Sequence, residues 1–262
     1  MNKKSHLDIE SCDMYEFMSY HVGLTVLHPG GTAATHKLVE LLEIDKDKKV
    51  LDIACGRGRT SVYLAKKYGC QVVGIDTNEE WIEEARKLAN RKGVDHLASF
   101  QVVNACDLPF PNDDFDLTLA QAVLVLVEDK DKVKVIEEAS RVLKKGGRSG
   151  WSELSWGKEP TQNFLAEAAK ETCSKGIANA MTFEGWATLF RKGGLKELDV
   201  NKVMFHVRGI SGIVADEGAI NGIRIMYKFL VDSRIRARMR RLNAFFNTYP
   251  EYLGYGIYIG SK

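Results

Sequence analysis

Two glycines and two carboxylates stand where this sequence can do chemistry. Gly56 and Gly58 follow the apolar run 49–53 (KVLDI) and precede a helical pattern that begins at Arg59. A short turn that leaves a buried strand and opens a helix brings backbone close to a ligand. Glycine suits such a turn because a Cβ would block the approach and because φ can become positive. Asp52 lies at the end of the strand, beside Ala54 and Cys55. Asp76 follows the next apolar run, 71–75 (QVVGI), about 20 residues after the glycines, where a carboxylate can accept both hydroxyls of a ribose. Thr77 is the expected N-cap of the next helix. Glu79, Glu80, Glu83 and Glu84 then favour the positive end of its dipole.

The turn must choose among nucleotides. The dinucleotide fingerprint G-x-G-x-x-G, read from Gly56, puts Ser61 in the third glycine position. No GK[ST] follows, so a phosphate-cradling Walker loop is also a poor match. Further polar candidates lie near expected strand ends or in the N-terminal segment: Gln121 and Glu153 among the former, Tyr20, His21 and His28 among the latter. These four, Tyr20, His21, Gln121 and Glu153, are the candidates for orienting or deprotonating a substrate. The five cysteines (Cys12, Cys55, Cys70, Cys106, Cys173) are odd in number and scattered, with no close CxxC pair. That pattern predicts reduced packing residues and no metal.

The elements that must hold these residues can be read from periodicity. From residue 38 to about 156, short apolar runs alternate with amphipathic helical patterns, the signature of βαβ units on a parallel sheet. Strands are expected at 49–53, 71–75, 99–103, 115–120 and 148–155. Helices are expected at 59–67, from Thr77 onward, and at 132–143, where Lys145-Gly146-Gly147 reads as a C-terminal stop. Further on, 159–175, 182–192 and 213–246 look helical, and 196–207 and 255–261 look like strands. The expected architecture is α/β and doubly wound, in one structural unit. It comprises an N-terminal cap (1–37), a cofactor-binding core (38–157), and a C-terminal half (158–262) that completes the sheet and lays helices over the substrate side.

Taken together, the motifs resemble the class I S-adenosylmethionine-dependent methyltransferases, particularly the menaquinone-biosynthesis-like and small-molecule members. The resemblance covers residues 28–153. Leu51-Asp52-Ile53-Ala54-Cys55-Gly56-Arg57-Gly58 is similar to the family's acidic residue followed by G-x-G-x-G, with Ala54 for the first glycine. Gly74-Ile75-Asp76 matches the ribose-binding strand end. Asn104-Ala105-Cys106-Asp107-Leu108-Pro109-Phe110 resembles D-A-x-D-L-P-F, with Asn104 for the aspartate that bonds the adenine amino group. Arg141 to Gly147 resembles R-V-L-K-P-G-G, with Lys145 for proline, and His28-Pro29-Gly30-Gly31 resembles a segment closing over the methionine end. The resemblance implies a Rossmann-like, seven-stranded, mostly parallel sheet. It also implies cofactor contacts from His28, Asp52, Ala54, Cys55, Gly56, Gly58, Asp76, Thr77, Asn104, Ala105 and Gln121, with S-adenosylhomocysteine as product. Many relatives place a histidine pair beyond the fourth strand. Here those positions are Val125 and Leu126, which point to an apolar pocket wall.

The acceptor implied is a small, at least partly apolar molecule methylated by in-line displacement. A cofactor-binding sensor or partner subunit without catalysis, and an NAD(P)-dependent oxidoreductase, are the competing readings. Trp156, Trp186, Phe183 and Tyr20 are available either as core or as an apolar lid. The run 233–241 (SRIRARMRR) is expected to be a solvated helix face, with an anionic headgroup or membrane surface as the sharper option. Lysine and arginine exceed aspartate and glutamate by only two charges, so bulk electrostatics gives no attraction to nucleic acid. The N-terminal residues lack an apolar signal region, and no apolar run reaches the ~20 residues of a membrane span. A soluble, cytoplasmic protein is expected.

Overall fold

Strand β1 (Lys49–Ile53) sits at the centre of the sheet, and its alternation explains the layering. Val50 faces one hydrophobic cluster, while Leu51 and Ile53 face another. A strand covered on both faces reads as a nearly continuous apolar run. The computed structural model describes residues 8–204 and 210–262.

β1 pairs in parallel with β2 (Gln71–Asp76) on one side and β4 (Phe115–Gln121) on the other. β3 (Ala98–Val102) extends the β2 side, and β5 (Leu143–Trp156) extends the β4 side, again in parallel. β8 (Leu253–Ser261) then inserts antiparallel between β5 and β7 (Lys196–Met204). The order is β3-β2-β1-β4-β5-β8-β7, and the two-residue β6 (Met181–Thr182) pairs with β5. Because the chain runs outward from β1 to β3 and then returns to β4, a crevice opens at the carboxyl ends of β1 and β4.

Helices α2 (Gly31–Leu42), α3 (Arg59–Tyr68) and α4 (Glu79–Lys92) cover one face. α5 (Asp129–Val142), α6 (Gln162–Thr172) and α8 (Phe183–Lys192) cover the other. A third cluster joins the N-terminal turn α1 (Met14–Glu16) and the π-helical Phe17–Val22 to α9 (Ile210–Val231) and α10 (Ser233–Thr248). The short α7 (Lys175–Ala178) lies between α6 and β6.

Several expected boundaries move. The N-cap of α4 is Asn78, whose side chain accepts from the Trp81 N–H, so Thr77 is not the cap. α5 starts at Asp129, three residues earlier than expected, and runs straight into β5 with Leu143 already extended. Gly146 and Gly147 therefore do not end a helix. They form an irregularity in β5, where the pairing jumps from Phe115 with Leu143 to Leu117 with Arg148. The helical stretch 159–175 is α6 and α7, and 213–246 is two helices separated at Asp232, whose carboxylate caps α10. α9 is itself kinked at Gly218, where φ is 78°. The strand expected at 196–207 is described to Met204. Its last residues, like residues 1–7 of the expected cap, lie outside the described residues.

Two tertiary findings concern large side chains. Trp156, Trp186 and Phe183 are core residues rather than a lid, and the indole N–H groups of Trp156 and Trp186 donate to the Ala180 and Leu154 carbonyls. The basic run is a solvated face only in part: Arg234, Arg240 and Arg241 are exposed. Arg238 is buried against the Phe17 ring at 4.5 Å and donates to the Ile9 and Cys12 carbonyls, tying α10 to the N-terminal segment. Arg234 pairs with Asp232 and Arg241 with Glu10. Burying an unpaired guanidinium is costly, so a run of arginines at helical spacing can be structural when backbone carbonyls wait for it. Within 234–241 the Arg238 side chain is thus committed to the fold, and Arg234 and Arg241 are paired with acidic neighbours.

Candidate active site

The turn after β1 closes on itself before it meets any ligand. The N–H of Cys55 donates to the Ile75 carbonyl, that of Gly56 to Asp76 Oδ2 at 2.9 Å, and that of Gly58 to the Cys55 carbonyl. Ala54, Gly56 and Gly58 all have positive φ. What the turn offers is therefore space. A Cβ at Gly56 would meet nothing within 4 Å, because that position opens onto the cavity. Gly58 serves a different purpose: a Cβ there would lie 2.6 Å from Ala85 and 2.8 Å from Phe100, so the glycine lets α3 and α4 approach β3.

A cavity of about 670 Å³ lies over this turn at the crevice between β1 and β4. Of the residues expected to touch a cofactor, His28, Asp52, Ala54, Cys55, Gly56, Asp76, Thr77, Asn104, Ala105 and Gln121 all line it, and Gly58 does not. Strand ends and turns far apart in sequence thus converge on one chamber. Asp76 spends one acceptor site per oxygen on the fold, Oδ2 on Gly56 and Oδ1 on the Asn78 N–H. A carboxylate has about four such sites, so two remain for a ligand. Burial pushes the Asp76 carboxyl above its ordinary value. Burial also lifts Asp52, to about 7, against the opposing hydrogen bond from Ser61 at 2.5 Å. The Asn104 amide oxygen accepts the Cys106 N–H, holding the loop beyond β3 in shape.

A polar cluster faces the turn from the opposite wall. His28 Nε2 is 3.2 Å from Thr35 Oγ1, and Gln121 Nε2 donates to Thr35 Oγ1 at 3.0 Å. Thr60 Oγ1 donates to Gln121 Oε1 at 3.1 Å. Burial lowers the His28 imidazole to about 4, which keeps the ring neutral.

The N-terminal segment is strapped over the cavity by α9. Glu217 accepts from the N–H groups of Thr25 and Val26, and Asp216 accepts from the N–H and hydroxyl of Thr32. Arg59 bridges Thr25 and the Asp216 carbonyl, while Arg57 donates to the Leu24 carbonyl and Ser19. Gly31 fits under this strap because a Cβ there would lie 2.1 Å from Asp216 Oδ2.

Three of the four residues considered for substrate work lie elsewhere. Glu153 is fully buried behind the turn Leu124–Leu126, with Oε1 accepting the N–H groups of Val123 and Leu124. It shapes the wall without lining the cavity, because near the end of β5 it lies under the loop after β4, whose N–H groups it accepts. Tyr20 and His21 belong to the π-helical segment outside the lining, and the His21 carbonyl accepts from Lys228. Gln121 alone faces the chamber. Residues missed by sequence reading include Thr35, Thr60, Trp81 and Tyr15, all of which line it. Trp81 follows the Asn78 cap at the start of α4, a place from which a side chain can reach back to β2. Its buried indole N–H has no hydrogen-bond partner, as a ligand-facing donor would. Among the described residues no group of three or more histidine, cysteine or acidic side chains is placed to hold a metal.

Comparison with known proteins bears on this geometry. Residues 50–147 match a family model described as a methyltransferase domain, a span that includes both carboxylates, the glycine turn and Gln121. The chain is 30% identical over 184 residues to methyltransferase GfsG of Streptomyces halstedii, covering 70% of this chain and 65% of that protein. It is 28% identical over 183 residues to 27-O-demethylrifamycin SV methyltransferase of Amycolatopsis mediterranei, covering 70% and 66%. Residues 50–147 are thus a methyltransferase domain, consistent with the class I family that the motifs resemble. Each of these matches spans just under two thirds of the relative's length. This methyltransferase also shares its fold with phosphoethanolamine N-methyltransferase 2 of Haemonchus contortus in complex with S-adenosyl-L-methionine. There the TM-score is 0.70 and the identity 18%, over 95% of this chain and 56% of that one. Its relatives include enzymes named as methyltransferases, among them N- and O-methyltransferases. No helix among the described residues is long and apolar enough to cross a membrane.

Proposed function

We propose that this methyltransferase acts on a small, partly apolar acceptor, and that the acceptor sits in a second chamber beside the cofactor. A cavity of about 180 Å³ adjoins the larger one and shares Tyr15, Val26, Leu27 and His28 with it. Its remaining wall is apolar, with Met14, Met18, Leu24, Leu154, Ile177 and Phe246. This shared wall is the observation that carries the reading, because methyl transfer needs donor and acceptor in one dry, aligned space.

The donor brings a methyl group already activated on a sulfonium. The two free acceptor sites on Asp76 suit the ribose hydroxyls, Asp52 suits the cationic amino group, and Asn104 with Ala105 suits the adenine edge. Gly56 clears room for the backbone approach. Neutral His28, fixed by Thr35, presents a ring without charge at the junction of the chambers, so the acceptor side stays apolar. The chain thereby supplies alignment and exclusion of water, and a strong base is not built into the junction.

Methyl-labelled S-adenosylmethionine incubated with cell extract tests this reading. Label should pass, in the presence of the protein, to an extractable small molecule. A Leu154→Glu variant should lose that transfer while retaining its affinity for S-adenosylhomocysteine. Retained affinity without any labelled product in the wild type would sink the proposal.

A further inference from the structure

The outward face of α9 is apolar and uncovered. On its inner side Ile225 is 3% exposed and packs with Phe17, Val22, Ile235 and Leu242. On the opposite side Ile220, Ile223, Tyr227 and Leu230 are 75%, 67%, 64% and 76% exposed, flanked by Met226 and Val231. A surface helix ordinarily turns polar residues outward, and one that is apolar on both sides is built to be covered. Scattered exposed apolar residues need no explanation, but a contiguous stripe of six does.

The spacing of the stripe identifies what covers it. Ile220, Ile223, Tyr227 and Leu230 are separated by 3, 4 and 3 positions, the step of a helix–helix seam. That order reads the same from either end. We propose that α9 pairs antiparallel with α9 of a second copy of this chain, about a two-fold axis on the outward face at the level of position 225. Ile220 then meets Leu230 of the partner subunit, and Ile223 meets Tyr227 of the partner subunit. A self-complementary patch of this kind is what an isologous dimer requires.

The area is sufficient. At roughly 60–120 Å² per buried side chain, six residues remove roughly 500 Å² per copy, about 1,000 Å² in all, the lower limit for a specific interface. A lipid surface fits less well, because an interfacial helix needs a cationic rim. Of the described cations around this face, Arg234 is engaged by Asp232, Arg236 by the Phe229 and Leu230 carbonyls and Lys228 by the His21 carbonyl, which leaves exposed Arg224 at the rim, a single cation rather than a cationic rim. Pairing would also lie next to the site, since Asp216 and Glu217, which hold the strap over the cavity, precede the stripe just across the kink at Gly218.

Sedimentation equilibrium at micromolar concentration tests the proposal. The wild type should be a dimer, and Ile223→Glu/Leu230→Glu should weaken association by about 100-fold or more, because each carboxylate would enter an apolar seam. Thermal melting and S-adenosylhomocysteine affinity should be unchanged in that variant. A monomeric wild type, or a dimer that survives the double substitution, overturns the pairing. A monomer that co-sediments with phosphatidylserine vesicles overturns it in favour of a lipid surface. Should the acidic variant fail to fold, Ile220→Cys/Leu230→Cys decides. Under mild oxidation it should give a thiol-reversible dimer on a denaturing gel where the wild type gives none, and absence of that dimer refutes the register.

Discussion

Replacing Asp76 by alanine is the sharpest perturbation of the proposed cofactor seat. Each Asp76 oxygen already accepts one backbone N–H, from Gly56 and Asn78, and each has one acceptor site left. If those sites receive the two ribose hydroxyls, two hydrogen bonds to a charged group are lost. At about 1.5 kcal/mol each, the low end for charged partners, the loss is about 3 kcal/mol, or more than 100-fold in Kd. Calorimetric titration with S-adenosylhomocysteine reads this directly. The substitution also strips the Gly56 N–H of its acceptor, so a melting curve must show that the variant is folded at the titration temperature. Asp76→Asn, which keeps the shape and one carbonyl oxygen, should fall between wild type and alanine. A folded Asp76→Ala protein whose Kd lies within about threefold of wild type would refute the ribose assignment.

Three further outcomes follow from the same structure. The Asp52 carboxyl, held up to about 7, is largely protonated at pH 6 and ionised at pH 8. Affinity for a cofactor with a cationic amino group should therefore rise by up to about tenfold across that interval, and Asp52→Asn should flatten the titration. Glu153 is raised by burial from 4.5 to about 7. Its favourable contribution is complete below about 4.5 and is lost as pH rises through 7, so Glu153→Gln should gain more Tm over wild type at pH 8 than at pH 5.5; an equal gain at both would contradict the buried charge. Arg238→Met should lose about 3 kcal/mol or more in denaturant unfolding, since it leaves the Ile9 and Cys12 carbonyls buried without their donor. A loss below about 1 kcal/mol would mean that α10 does not depend on that anchor.

What the sequence determined was the part of the molecule whose signals are local. Strand β1, the turn at Gly56 and the carboxylate at the end of β2 are written in contiguous residues, because burial on both faces and positive φ leave marks on the chain itself. Asp52, Asp76 and Asn104 were legible for the same reason: each lies at a strand end on the crevice side. The parallel sense of these strands followed from the alternation of runs and helices; their order in the sheet came only from the structure.

Only the tertiary structure decided the rest. Nothing local marks Thr35 and Thr60 as partners of Gln121, since they meet across 86 and 61 residues. The same distance effect removed Glu153 from the chamber: its place on β5 looks active until the loop after β4 folds over it. The arginines of α10 read as a solvent face because helical spacing cannot say which side is covered, and the carbonyls that bury Arg238 arrive from more than 200 residues away. The outward stripe of α9 was hidden by the reverse problem. Its residues are apolar on both sides, so periodicity alone cannot tell the face that meets the core from the one left open.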